Sequence, residues 1–167
     1  MEIEKKFIIH YNEDTLNMLK KEYGKEEITQ DYLYVDKYTA IRKRKILVNN
    51  ITKYFYTVKT MKTGISVNEI EKCISQNEYD NLIINKNYNT IIKDRYIIPY
   101  INNLKIELDI FHGIYEVIAF AEIEFKDEKQ ANEIKIPEWF GKDISSLFTN
   151  SQMALKNIKE EILKIEN

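Results

Sequence analysis

The stretch "EIEKK" at residues 2–6 places Glu2, Glu4 and Lys6 at every second position. In an extended chain alternate side chains share a face, so these three charges point one way and Ile3 the other. One such strand reads most simply as the surface of an antiparallel sheet, apolar within and charged without. The rest of the chain repeats the pattern and changes that reading.

Two-residue alternation predicts strands over 1–10, 27–35, 38–46, 52–60, 65–74, 91–100, 103–111 and 116–125. Asn49-Asn50, Gly64, Asn102-Asn103 and His112-Gly113 supply turn signals between them. Charges two apart recur as Arg42 and Arg44, Glu69 and Glu71, Lys93 and Arg95, Glu107 and Asp109, and Glu122 and Glu124; the strand over 52–60 carries Thr57 and Lys59. Such charges lie roughly 7 Å apart on one face. Apolar residues (Ile41, Val58, Ile70, Ile106, Leu108, Ile123, Phe125) occupy the intervening positions.

Solvent-facing strands ordinarily mix Thr, Ser, Gln and Lys, whereas carboxylate pairs and basic pairs here segregate strand by strand. Helices are predicted over 12–23, with Asn12 as cap and Leu16, Leu19 and Tyr23 on one face, and over 75–86, where Ser75 and Glu78 have the spacing of a capping box. A third, over 151–165, carries Met153, Leu155, Ile158, Ile162 and Ile165. These amphipathic helices need an apolar surface to cover. If they lie outside the sheet, the charged faces turn inward. The expectation is a single α+β domain over 1–167: an eight-stranded antiparallel closed β-barrel with a charged lumen and helices packed outside.

The composition is that of an ordinary globular protein, with 44% hydrophobic and 31% charged residues and a net charge of −2. That near-balance gives no global nucleic-acid surface, and no apolar run is long enough for a membrane-spanning helix. Cys73 is the single cysteine, so an internal disulfide is excluded. With no leader pattern after Met1, the expected address is cytoplasmic. The chain is expected to act as a monomer or homodimer on a small molecule, with no nucleic-acid or membrane partner.

The proposed lumen holds eight carboxylates (Glu2, Glu4, Glu69, Glu71, Glu107, Asp109, Glu122, Glu124) and six bases (Lys6, Arg42, Arg44, Lys59, Lys93, Arg95). Confined carboxylates repel and take up protons unless cations intervene. Oxygen donors without a His or Cys cluster suit hard ions such as Mg²⁺ or Mn²⁺. Arginine forks suit phosphate oxygens. A metal and a basic cradle around one ligand point to a polyphosphate and to phosphoryl transfer, with a metal-activated water attacking a terminal phosphoryl group.

The segments also resemble a known family. "EIEKK" is similar to the E-x-E-x-K signature of the CYTH superfamily, the triphosphate tunnel metalloenzymes. In the family's order follow "QDYL" (30–33), "IRKR" (41–44), "TVK" (57–59), "EIE" (69–71), "KDR" (93–95), "IELDIF" (106–111), "AEIEF" (121–125), "PEWFGKDIS" (137–145) and "NSQMAL" (150–155). The resemblance implies a triphosphate tunnel whose members hydrolyse or cyclise triphosphates with divalent metals. It implies Glu2, Glu4, Glu122 and Glu124 as metal carboxylates, with Glu69, Glu71, Glu107 and Asp109 as further ligands or their supports. Lys6, Arg42, Arg44, Lys59, Lys93 and Arg95 form the phosphate cradle, and the catalytic work falls to Glu4, Lys6 and Glu124. Val67 departs from the family, which often has a basic residue there. Trp139 and Phe140 are expected to anchor the C-terminal segment, and His10 to sit at the strand's rim. Three functions stay open: a metal-dependent triphosphatase, a class IV-type adenylyl cyclase, and a polyphosphate- or nucleotide-binding module without turnover.

Overall fold

A computed structural model describes residues 2–61 and 66–165, and their side chains except those of 2, 61, 66 and 67. The expected turn at Gly64 lies outside the described residues. Strands β1 (Glu2–Ile8), β2 (Lys25–Val35), β3 (Thr39–Val48), β4 (Ile51–Met61), β5 (Ser66–Ile74), β6 (Ile91–Pro99), β7 (Lys105–Phe111) and β8 (Ala119–Phe125) follow the sequence periodicity. Asn49 and Asn50 join β3 to β4 with φ of 50° and 61°, the left-handed pair that a two-residue hairpin with native twist requires. Helices α1 (Glu13–Glu22), α2 (Gln76–Asn81), α3 (Glu128–Glu133), α4 (Asn150–Leu155) and α5 (Lys159–Ile165) complete the framework.

All the pairings are antiparallel, and the sheet curls in the order β1-β5-β4-β3-β2-β6-β7-β8 until β8 meets β1. The two sides of β1 differ. Six residue pairs, Ile3↔Phe125 to Ile8↔Phe120, join it to β8. Among the described residues, Glu2↔Val67 and Ile3↔Ser66 join it to β5. The fully closed tunnel expected from the sequence is therefore corrected to a curled, open sheet, in which the β1–β5 pairing is short among the described residues. The reason lies in the hydrogen bonding of β1's second edge. Ile8 N–H donates to Lys142 O (3.0 Å), Gly141 N–H to Ile8 O (2.9 Å) and Ile144 N–H to Lys6 O (2.8 Å), so the 141–144 segment occupies the edge that β5 leaves. A side chain at Gly141 would begin 2.7 Å from Ile8 O, which only glycine avoids.

The outward apolar face is covered as anticipated on one side. Ile3, Phe7, Leu108, Ile110 and Ile123 pack with Leu19 of α1 and Ala131 of α3. Asn12 caps α1 by accepting from Thr15 N–H, and Ser75 and Glu78 form the predicted capping box of α2. The C-terminal helices behave otherwise. Ile8, Ile91, Phe111 and Phe120 continue the inward alternation of Lys6, Lys93, Asp109 and Glu122, and they pack with Phe148, Met153, Ala154, Ile158 and Ile162. The tail thus stoppers one end of the curled sheet instead of lying outside it.

Two predicted helices are shortened. The tail helix breaks at Lys156–Ile158, because the Tyr115 hydroxyl occupies the gap: it lies 2.6 Å from Met153 O and 2.9 Å from Lys156 O and accepts from Ile158 N–H. α2 stops at Asn81, where buried Lys43 donates to Tyr79 O and Leu82 O (3.0 Å each). Phe140 packs on Phe7 with centroids 4.9 Å apart, as an anchor should, whereas Trp139 stays half exposed. His10 is exposed just beyond β1.

Candidate active site

The concave side of the sheet encloses a cavity of about 310 Å³. Its wall follows from the alternation, since every second residue of each strand must face it. Lys6 and Glu4 come from β1, Arg42 and Arg44 from β3, Lys59 from β4, Glu69 and Glu71 from β5, Lys93 and Arg95 from β6, Glu107 from β7, and Glu122 and Glu124 from β8. "IRKR" shows how sharp this sorting is. Arg42 and Arg44 line the cavity, while Lys43 between them turns outward to the carbonyls that end α2.

Acids and bases interlock around the wall. Lys6 Nζ lies 2.8 Å from Glu122 Oε1. Arg95 pairs with Glu107, reaches Asp109 with Nε (2.6 Å) and Nη2 (2.7 Å), and lies 3.2 Å from Glu122 Oε2. Lys93 pairs with Asp109. On the other side Arg44 Nη2 lies 2.5 Å from Glu71 Oε2, which also accepts from the Thr57 hydroxyl (2.9 Å). Lys59 Nζ lies 2.6 Å from Glu69 Oε2, with Arg42 Nη2 farther off at 3.9 Å. Asp109 is 1% exposed and does not line the cavity; it buttresses Lys93 and Arg95 from behind.

These contacts set the protonation of the groups. Burial opposes the Glu122 carboxylate, but Lys6, Lys93 and Arg95 outweigh it and hold its pKa well below the ordinary value. Burial would likewise lower Lys6, yet Glu122 and Glu4 raise it. Burial, reinforced by Arg95, pulls Lys93 down to about 8 despite Asp109 and Glu122. Burial raises Glu107 against the pull of Arg95. The wall thus mixes fixed charges with groups poised to exchange protons.

Glu4 and Glu124 stand directly opposite each other across β1 and β8, as Glu107 and Glu122 do across β7 and β8. Like charges so placed repel, and the ion pairs of Lys6 and Arg95 compensate the Glu107–Glu122 couple. The Glu4–Glu124 couple matches the chemistry of a divalent-cation site made from oxygen donors. Among the described residues no group of three or more His, Cys, Asp or Glu forms a ready cage. That suits Mg²⁺, which is commonly held by one or two carboxylates together with substrate phosphates. The side chain of Glu2, the fourth predicted metal carboxylate, and that of Val67 lie outside the described residues.

No protein-family model matches the chain, and no curated protein matches it by sequence. Solved structures do. The inorganic triphosphatase NE1496 superposes with a TM-score of 0.63 at 26% identity, over 93% of this chain and 95% of that one. The chain has the CYTH superfamily fold. The same CYTH fold relates it to the PH1819 protein from Pyrococcus horikoshii OT3 (TM-score 0.59, 22% identity, 80% of this chain and 83% of that one). It also relates it to a putative adenylyl cyclase from Hippeastrum that shows a dominant triphosphatase activity (0.57, 14%, 79% and 83%).

The site also contains residues that charge patterning did not single out. Gln30 and Tyr32 of β2 line the cavity, as do Asp36, Thr39 and Ala40 after them and Thr149–Ser151 at the stoppered end. Neither residue is charged, yet Gln30 and Tyr32 sit opposite Arg44 and Arg42 and share their face. That register was the available signal.

Proposed function

We propose that the protein hydrolyses a triphosphate, inorganic tripolyphosphate or an organic triphosphate, with the help of Mg²⁺ or Mn²⁺. The observation that carries this reading is the juxtaposition in one cavity of a basic wall and an opposed carboxylate pair. The 26%-identical structural neighbour, an inorganic triphosphatase, supports it.

Lys6, Arg42, Arg44, Lys59, Lys93 and Arg95 bind and orient the phosphate chain, exchanging their present carboxylate partners for phosphoryl oxygens. Glu4 and Glu124, with Glu122 and Glu2, hold the divalent ion; Glu69, Glu71 and Glu107 keep the bases extended. When bound, the ion supplies charge neutralisation and a more acidic water. Lys6, kept protonated by Glu122 and Glu4, stabilises the charge that develops as the phosphoanhydride bond breaks. Asp109 fixes Lys93 and Arg95 so that little reorganisation remains for the reaction.

The test is incubation of the purified protein with tripolyphosphate, ATP or thiamine triphosphate, each with Mg²⁺ or Mn²⁺, following inorganic phosphate and cyclic AMP. Metal-dependent phosphate release is the expected result. Cyclic AMP as main product overturns it in favour of a cyclase, and binding without turnover in favour of a sensor.

A further inference from the structure

Gln30 has 0% of its surface exposed, and it lines the cavity. Neither its Nε2 nor its Oε1 has a hydrogen-bond partner among the described residues. A buried amide left unpaired at both ends is strongly unfavourable, more so than an apolar side chain of the same shape. Its surroundings make the choice of residue stranger: Ile28 precedes it on the same face of β2, Ile91 lies opposite on β6, and both are buried. A leucine or methionine would suit the fold better. The Gln30 side chain ties no strand to another, so folding does not account for the amide.

Two more unpartnered groups lie on the neighbouring strand. The Nε atoms of Arg42 and Arg44 are buried and have no hydrogen-bond partner among the described residues. Arg44 stands directly opposite Gln30 in register, and Arg42 opposite Tyr32 two residues on. One stretch of wall thus presents an amide NH₂ and two guanidinium N–H groups whose acceptors are missing. Several acceptor oxygens at close spacing are what a phosphate chain offers. A neutral amide has a particular value there, because it adds a donor without adding charge beside two arginines that already repel.

We propose that Gln30 is a direct contact of the bound phosphate chain. Its Nε2 donates to a non-bridging phosphoryl oxygen, and its Oε1 accepts from a water of the chain's hydration or from a protonated phosphoryl oxygen. This rests on the triphosphate reading above and names a neutral contact that charge alone does not reveal.

The inference ties stability and affinity together with opposite signs. In Gln30→Met the ligand-free protein loses two unpartnered buried polar atoms, so it should unfold at the same or a higher temperature. Its affinity for tripolyphosphate, measured by calorimetry without metal, should fall roughly ten- to hundred-fold, the effect of one hydrogen bond to a charged group. Gln30→Glu, which brings a carboxylate to the anion, should lose at least as much affinity. A Gln30→Met protein that unfolds several degrees lower overturns the proposal, because the amide then serves the fold. So does wild-type affinity in that variant. If wild-type protein itself fails to bind tripolyphosphate, the triphosphate reading falls first and takes this one with it; unchanged binding in the variant alone refutes only the role of Gln30.

Discussion

Arg95 is the group on which most of the acidic wall depends, and Arg95→Met is the most informative single perturbation of the ligand-free protein. Arg95 is 8% exposed, and its guanidinium contacts Asp109, Glu107 and Glu122. Lys93 remains beside Asp109 and Lys6 beside Glu122, so two of the three carboxylates keep a second cation, while Glu107 loses its arginine. Breaking a buried ion pair by removing one side costs about 3–5 kcal/mol. Against a typical total of about 5–15 kcal/mol that is a large fraction of the stability. With a urea dependence of about 2 kcal/mol per molar, the midpoint should move down by about 1.5–2.5 M. The sign of the pH dependence follows from linkage. Glu107, already raised by burial and now stripped of its arginine, has a folded pKa above the unfolded one, so the folded variant binds more protons and regains stability as the pH falls from 7 to 5. Urea unfolding followed by circular dichroism at the two pH values measures both effects. A loss below about 1 kcal/mol, or one that is the same at both pH values, would refute the view that Arg95 holds the acids in place.

Glu4→Gln should reduce metal-dependent tripolyphosphate turnover by at least about a hundredfold and weaken Mn²⁺ binding, with the thermal midpoint unchanged; near-normal turnover sinks the metal assignment. Lys43→Met should destabilise by about 1–3 kcal/mol, because the carbonyls of Tyr79 and Leu82 lose their donor, and should leave turnover as it was. Glu122 has a folded pKa held well below 4.5, so its contribution is complete above that value and is lost as the pH falls toward the folded pKa. The stability gap between wild type and Glu122→Gln should therefore be widest near neutrality and narrow progressively in acid.

The strands were legible because a period of two sorts side chains by face whatever lies beyond them, and Arg42, Lys43 and Arg44 obey it residue by residue. What could not be read locally depends on partners distant in sequence. Tyr115 divides the C-terminal helix through its hydroxyl, and nothing within 151–165 announces that. The 141–144 segment takes an edge of β1 that periodicity would assign to β5. Asp109 alternates correctly with Glu107 yet lies behind Lys93 and Arg95, because the stopper of Phe111, Met153 and Ile162 fills that end. Gln30 stands in the "QDYL" match but escaped the charge pattern for another reason: it carries no charge, and its burial without a hydrogen-bond partner among the described residues is what points to a role.

The Glu4–Glu124 pairing has a consequence for how the protein comes to exist. The two carboxylates sit on the first and last strands, so they face each other only after all the intervening sheet has been made and β8 has found β1. Such a distant closure is intrinsically slow. A chain still emerging, or one stalled with β8 undocked, lacks this paired half of the proposed cation site. Divalent ions would therefore reward the finished molecule and do little for its precursors, so metal concentration would set the population of the native state without smoothing the route to it.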